Sequence, residues 1–423
     1  MGVYKKQVRE HIRTHQTKGI RLLRRLVQER SVSAEESGAQ AIMIEKLRQL
    51  GMQLDIWEPS YSEMERHPCF VSLRKNFVDS PNVVGVLKGT GGGKSIILNG
   101  HIDVVPEGDR KQWEYDPYGG EIVGNKLYGR GATDMKGGNV ALIMAIEAIV
   151  ASGIRLKGDI YFQSVIEEES GGAGSLAAIL RGYTADAVLI PEPTNLKFFP
   201  KQQGSMWFRL TVKGKSAHGG TRYEGVSAIE KGMVVLQYIR QLEQKRNERI
   251  ADPLYQSTPI PVPINIGKIQ GGNWPSSVPD SLILEGRYGV MPNETLEEAK
   301  REFEDCLKEL NEQDAWFKNN PVTLTWFGAR WVPGSIDEHH PFVHTLQENY
   351  RLVRSEEPIF EASPWGTDGG VFTQIGNMPV IIFGPGETKV AHYPNEYIEI
   401  DKMVAAAEII ACMLLDWCGV NES

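Results

Sequence analysis

The stretch SIILNGHIDVV, Ser95–Val105, decides how this chain is read. Its first half is an apolar run of strand length, the pattern of a strand covered on both faces. His101 and Asp103 then emerge together at its C-terminal end, where open α/β sheets bind ligands. A His and an Asp two residues apart at such a place need a chemical reason.

Outward from this strand, helix-like and strand-like segments alternate. TKGIRLLRRLVQER (Thr17–Arg30) and EESGAQAIMIEKLRQLG (Glu35–Gly51) carry apolar residues at helical spacing. GDIYFQSVI (Gly158–Ile166) and DAVLIPEP (Asp186–Pro193) read as further strands, with a helix over GGNVALIMAIEAIVASG (Gly137–Gly153) before them. Such alternation predicts a mostly parallel sheet covered by helices. After residue 202 the texture changes to strand, helix, two strands, helix and strand, the order of a small ferredoxin-like sandwich. MPVIIFGPG (Met378–Gly386) and the apolar helix MVAAAEIIACMLLDW (Met403–Trp417) return to the first texture. The expectation is an α/β fold with a discontinuous domain over 1–202 and 333–423, interrupted by an inserted domain over 203–332.

At 423 residues the chain exceeds one ordinary core. A formal charge of −8 argues against nucleic acid or an anionic membrane as the main partner. No apolar run reaches membrane-helix length, and the charged start MGVYKKQVREHIRTHQ lacks a signal-peptide core, so a cytoplasmic location is expected. Cys69, Cys306, Cys412 and Cys418 form no CxxC pair, so neither a disulfide framework nor a thiolate zinc site is indicated. GTGGGKS (Gly89–Ser95) runs into a strand instead of a helix and reads as a hairpin turn, not a phosphate loop. His11 and His15 share a helix face without the Glu of HExxH and read as surface residues. His339 and His340 read as a solvated loop.

Chemistry concentrates at strand ends. Asp134 lies in the glycine-rich YGRGATDMKGG (Tyr128–Gly138), Glu167, Glu168 and Glu169 close a strand, Glu192 closes another, and His392 follows a glycine-rich turn. Three adjacent carboxylates at a buried strand end require compensating cations. Two imidazoles with several carboxylates suit zinc or another divalent transition ion, and the acids suffice for two.

The ordered set HxD, GRGxxDMKGG, EEESGGAGS, PEPT, SAHGG and AHxxNE resembles the M20 metallopeptidase family, which includes acetylornithine deacetylase, succinyl-diaminopimelate desuccinylase, aminoacylase and carboxypeptidase G2. The resemblance spans nearly the whole chain and is closest to the acetylornithine-deacetylase-like branch. It implies a catalytic domain, an inserted lid or dimerisation domain, and two divalent ions, Zn2+ foremost, with Co2+ or Mn2+ as alternatives. It gives one ion to His101, Asp134 and Glu192 and the other to Asp134, Glu169 and His392, with Asp134 bridging. It makes Asp103 the partner of the second nitrogen of His101. Glu168 matches the general base acting on a water between the ions. His218 matches the histidine that stabilises the oxyanion, usually in a partner subunit's site, which implies a homodimer. Arg287 matches a substrate-carboxylate arginine. Ser276 stands where family members often have Asn.

The implied activity is removal of an acyl group from a small N-acyl amino acid. The alternatives are a dipeptidase or carboxypeptidase, a deformylase of an N-formyl-aminopyrimidine, and, in a different class, a non-catalytic metal- or peptide-binding protein. Glu168 beside the full ligand set speaks for an enzyme.

Overall fold

The computed structural model describes residues 2–421. The chain divides into two units: Met1–Lys201, Gly334–Glu361 and Asp368–Ser423 form one, Gln202–Pro333 and Ala362–Thr367 the other.

The first unit is built on a nine-stranded sheet. Its centre is parallel: Ile96–His101 lies between Ile160–Val165 and Val188–Ile190, and Val380–Ile382 continues beyond Val188–Ile190. Antiparallel strands flank it, Asn82–Leu87 on one side and Phe198–Gln202 on the other. The mostly parallel α/β architecture therefore holds, with antiparallel margins. Every residue of Ile96–His101 is buried, as the unbroken apolar run requires. Helix Gly137–Ala151 is buried on nearly all sides because it packs on that strand and on the helices Gly2–Gln28 and Ile400–Cys418. Each large apolar side chain it hides contributes about 1.5–3 kcal/mol. The long amphipathic helix Gly2–Gln28 is fastened by Arg9 and Arg13, both pairing with the buried Glu408.

The second unit is a four-stranded antiparallel sheet in the order Ile264–Gly271, Ser281–Val290, Gly204–Lys213, Thr323–Trp331. Helices Ala228–Glu248 and Leu296–Gln313 bury Val235, Ile239, Phe303 and Leu307 in one core with Phe208, Leu210 and Leu284 of the sheet. The structure differs from the expected division at residues 202 and 333, which fall in the second unit, and in one further stretch. Residues 362–367 join this second unit, because Gln203 donates its side-chain amide to Pro364 O and its backbone NH to Ser363 O, while Gln202 donates to Thr367 O. Side-chain amides in a short junction carry no periodicity, so a sequence pattern cannot announce this attachment.

Candidate metal centre

His101 ends its strand inside the molecule. Gly100 before it lies so close to Asn139 that a Cβ would stand 1.8 Å from the Asn139 Oδ1. That approach lets Asn139 donate to the His101 carbonyl at 2.7 Å. The His101 Nδ1 lies 2.8 Å from the backbone carbonyl of Asp103. A carbonyl only accepts, so Nδ1 carries a proton and Nε2 is the ring nitrogen that faces the acids. This corrects the expectation for Asp103: its backbone oxygen, not its carboxylate, fixes the tautomer. The carboxylate is 3.7 Å away and instead accepts the amides of Glu168 at 3.3 Å and Glu169 at 3.1 Å. Asp103 thus orients the loop of acids across from His101.

Around Nε2 of His101, Asp134 Oδ1 lies at 3.2 Å and Glu192 Oε1 at 3.8 Å. His392, on a turn residue with φ of +63°, brings its Nε2 to 3.2 Å from both Asp134 Oδ2 and Glu169 Oε2. The two oxygens of Asp134 therefore face two different imidazoles. Ligand-type atoms of His101, Asp134 and Glu169, and likewise of His101, Glu168 and Glu192, lie within 4.8 Å of one another.

The electrostatics suit cations. Burial, with neighbouring carboxylates, pushes Glu168 and Glu192 well above the ordinary carboxyl range, and burial raises Asp103 to about 8. Burial opposes charge on His101, yet the Asp134 bond and nearby acids raise it well above its usual value. His392 is raised to about 11, chiefly by Glu169. The Glu169 Oε1 is buried without a hydrogen-bond partner. Acids this crowded, imidazoles drawn toward the charged form and an orphaned carboxylate oxygen fit divalent ions bound among these donors.

Two buried acids near the cluster had no assigned role in the sequence. Glu167, at φ +63°, accepts from Ser33 at 2.6 Å, Ser72 at 2.8 Å and Ser170 at 2.9 Å and pairs with Arg74 at 2.9 Å. It anchors the acid triplet away from the donors. Asp368 accepts from Ser175 at 2.6 Å, and burial raises its carboxyl to about 6. The available signal was a charged residue inside an otherwise small and apolar stretch.

In the second unit, His218 is exposed, and its Nδ1 accepts the Gly220 amide at 3.1 Å. This leaves Nε2 as the N–H that can donate outward. Ser276 stands beside it, its carbonyl accepting the Gly219 amide at 2.7 Å. Arg287 is half-buried, bonds only Gln203 Oε1 at 3.3 Å, and has no acid paired with it among the described residues. Burial lowers its pKa to about 10.

The other candidates have structural places. Gly91 and Gly92 take positive φ in an exposed connection between strands. His11 and His15 are half-buried and stacked at 4.1 Å, and His340 accepts the Phe342 amide at 3.2 Å to cap a helix.

A model of peptidase family M20/M25/M40 matches residues 97–416. The chain is 32% identical over 379 residues to an N-formyl-4-amino-5-aminomethyl-2-methylpyrimidine deformylase of Halalkalibacterium halodurans, covering 85% of this chain and 88% of that one. To the deformylase of the same name from Bacillus subtilis it is 31% identical over 404 residues, covering 90% and 89%. The fold matches that of the Bacillus subtilis YXEP protein, described as a dinuclear metal binding peptidase, with a TM-score of 0.64 at 16% identity, over 97% of this chain and 100% of that one. With the family model spanning most of its length, the chain belongs to the M20/M25/M40 peptidase family and is a hydrolase of amide bonds.

Proposed function

We propose that this chain removes the acyl group from a small, carboxylate-bearing N-acyl amide, an N-acyl amino acid, with two divalent cations. The convergence of His101, His392, Asp134, Glu169 and Glu192 around shared donors carries this reading. One ion would be held by His101, Asp134 and Glu192, the other by Asp134, Glu169 and His392. Zn2+ suits this mixed nitrogen and oxygen set, and Co2+ and Mn2+ are the alternatives. Bound ions would polarise the scissile carbonyl and acidify water.

Glu168 is the general base. Its buried carboxyl, with a raised pKa, is matched to take a proton from water and pass it to the departing amine. Asp103 holds the Glu168 and Glu169 amides and so keeps base and ligand in register. His218 donates its outward Nε2–H to the oxyanion. Arg287 binds the substrate carboxylate, since a half-buried guanidinium without a paired acid is completed by an anion. Ser276, at the His218 turn, belongs to the same substrate-binding surface.

His218 acts in a homodimer. Strand Ile264–Gly271 is an edge of its sheet, and Ile269 on it is exposed, as are Ile229 and Met233 of the helix Ala228–Glu248. An open edge beside apolar side chains is suited to pairing with a second copy.

A second reading is deformylation of an aminomethylpyrimidine, favoured by the 31–32% identity to the two deformylases. That compound's name contains no carboxylate, so Arg287 separates the two. The test is hydrolysis of N-acetyl, N-succinyl and N-formyl amino acids, dipeptides and the formylated pyrimidine with Zn2+, Co2+ or Mn2+. Turnover of a carboxylate-bearing amide, with KM raised at least about 10-fold by Arg287→Met, is expected. Turnover of the pyrimidine alone would transfer the conclusion to the second reading.

A further inference from the structure

The sequence motifs hold further charged residues without a role, among them the Arg of GRGxxDMKGG and the Glu of AHxxNE. These two are Arg130 and Glu396, and they meet in the interior, 2% and 0% exposed, with Nη1 to Oε2 at 2.5 Å. The other oxygen of Glu396, Oε1, accepts the backbone amides of Thr133 at 2.9 Å and Asp134 at 3.2 Å. The Glu396 carbonyl accepts the Gly129 amide at 2.8 Å. Arg130 in turn donates to Pro106 O at 3.4 Å, on the segment that follows His101 and Asp103, and stacks over Trp113. The neighbouring Asn395 accepts the Glu114 amide at 2.7 Å, holding the same segment.

Three loops bearing proposed ligands therefore meet on one buried ion pair. Glu396 lies four residues after His392 and grips the amide of Asp134, while Arg130 ties both to the loop that follows His101. A single carboxylate holds two consecutive amides only when the backbone there is fixed in orientation, and this sets the direction of the Asp134 side chain.

We infer that Arg130 and Glu396 are positioning residues that aim the two oxygens of Asp134 at the two metal sites, so that affinity for both ions depends on this pair. The inference rests on the two-ion reading above. It predicts an unusual signature: a defect in the pair reaches both ions together, because its target is the shared ligand. Residues that support ligands through hydrogen bonds alter metal affinity about 10- to 100-fold.

The test uses metal-stripped full-length protein titrated with Co2+, followed by calorimetry and by visible absorption of the bound ion. Glu396→Gln keeps an acceptor for the amides but turns an NH2 toward the guanidinium. Arg130→Lys keeps the buried charge but loses the planar fork, and it serves where the first variant fails to fold. Both are expected to weaken the two Co2+ steps in parallel by about 10- to 100-fold and to alter the absorption band, with substrate KM unchanged at saturating metal. A role in folding alone would lower the melting temperature of the stripped protein and leave both affinities intact, and that result overturns the inference. Loss of one ion only overturns it as well. Wild-type protein that takes up a single ion would instead overturn the two-ion reading, and this inference with it.

Discussion

Asp103→Asn separates what the HxD pattern suggests from what the fold does with it. The substitution conserves volume, and the backbone carbonyl that receives the His101 Nδ1–H is untouched. The change falls on the two amides at 3.3 and 3.1 Å, from Glu168 and Glu169. The Asn side chain offers its oxygen to one of them and turns its NH2 toward the other, leaving a buried donor unsatisfied. That costs about 1–3 kcal/mol, and a central value of about 2 kcal/mol corresponds to roughly 30-fold. The expected result is kcat lowered roughly 30-fold, with the ion held through Glu169 and His392 released first in a chelator titration followed by elemental analysis. Release of the His101 ion first, or kcat and both affinities within about 2-fold of wild type, would refute the reasoning.

Glu168→Gln is expected to keep both ions and lose at least about 100-fold in kcat, checked by elemental analysis beside steady-state rates. For His218, mixing inactive His218→Ala with inactive Glu168→Gln under subunit exchange gives about half heterodimers, each with one intact composite site. Recovery of up to about a quarter of wild-type activity is expected, and none despite proven exchange would place His218 in its own subunit's site or outside catalysis. The buried Lys136 donates to Leu26 O at 2.8 Å and Glu29 O at 2.9 Å, and burial draws its pKa down to about 7. Between about 7 and the unfolded value near 10.4 the unfolded chain binds the extra proton, so this group's contribution rises with pH across that window and is lost as pH falls through about 7. Chemical denaturation of the metal-free protein at pH 7 and 10 should show a smaller rise for Lys136→Met than for wild type.

The sequence by itself determined the layers and the kind of chemistry. Uninterrupted apolar runs such as Ile96–Leu98 can only be covered on both faces, and a change of periodicity after residue 202 marks a second core, because local pattern and burial are tied residue by residue. The acids and imidazoles were legible for the same reason, since charges at the ends of buried strands need partners. Only the tertiary structure decided the partners. It gave the tautomer of His101 to a backbone carbonyl instead of a carboxylate, drew 362–367 to the second unit, and set Glu396 against Arg130 across 266 positions of chain. Hydrogen bonds of this kind depend on where backbone groups converge after packing, and a backbone carbonyl has no letter in the sequence.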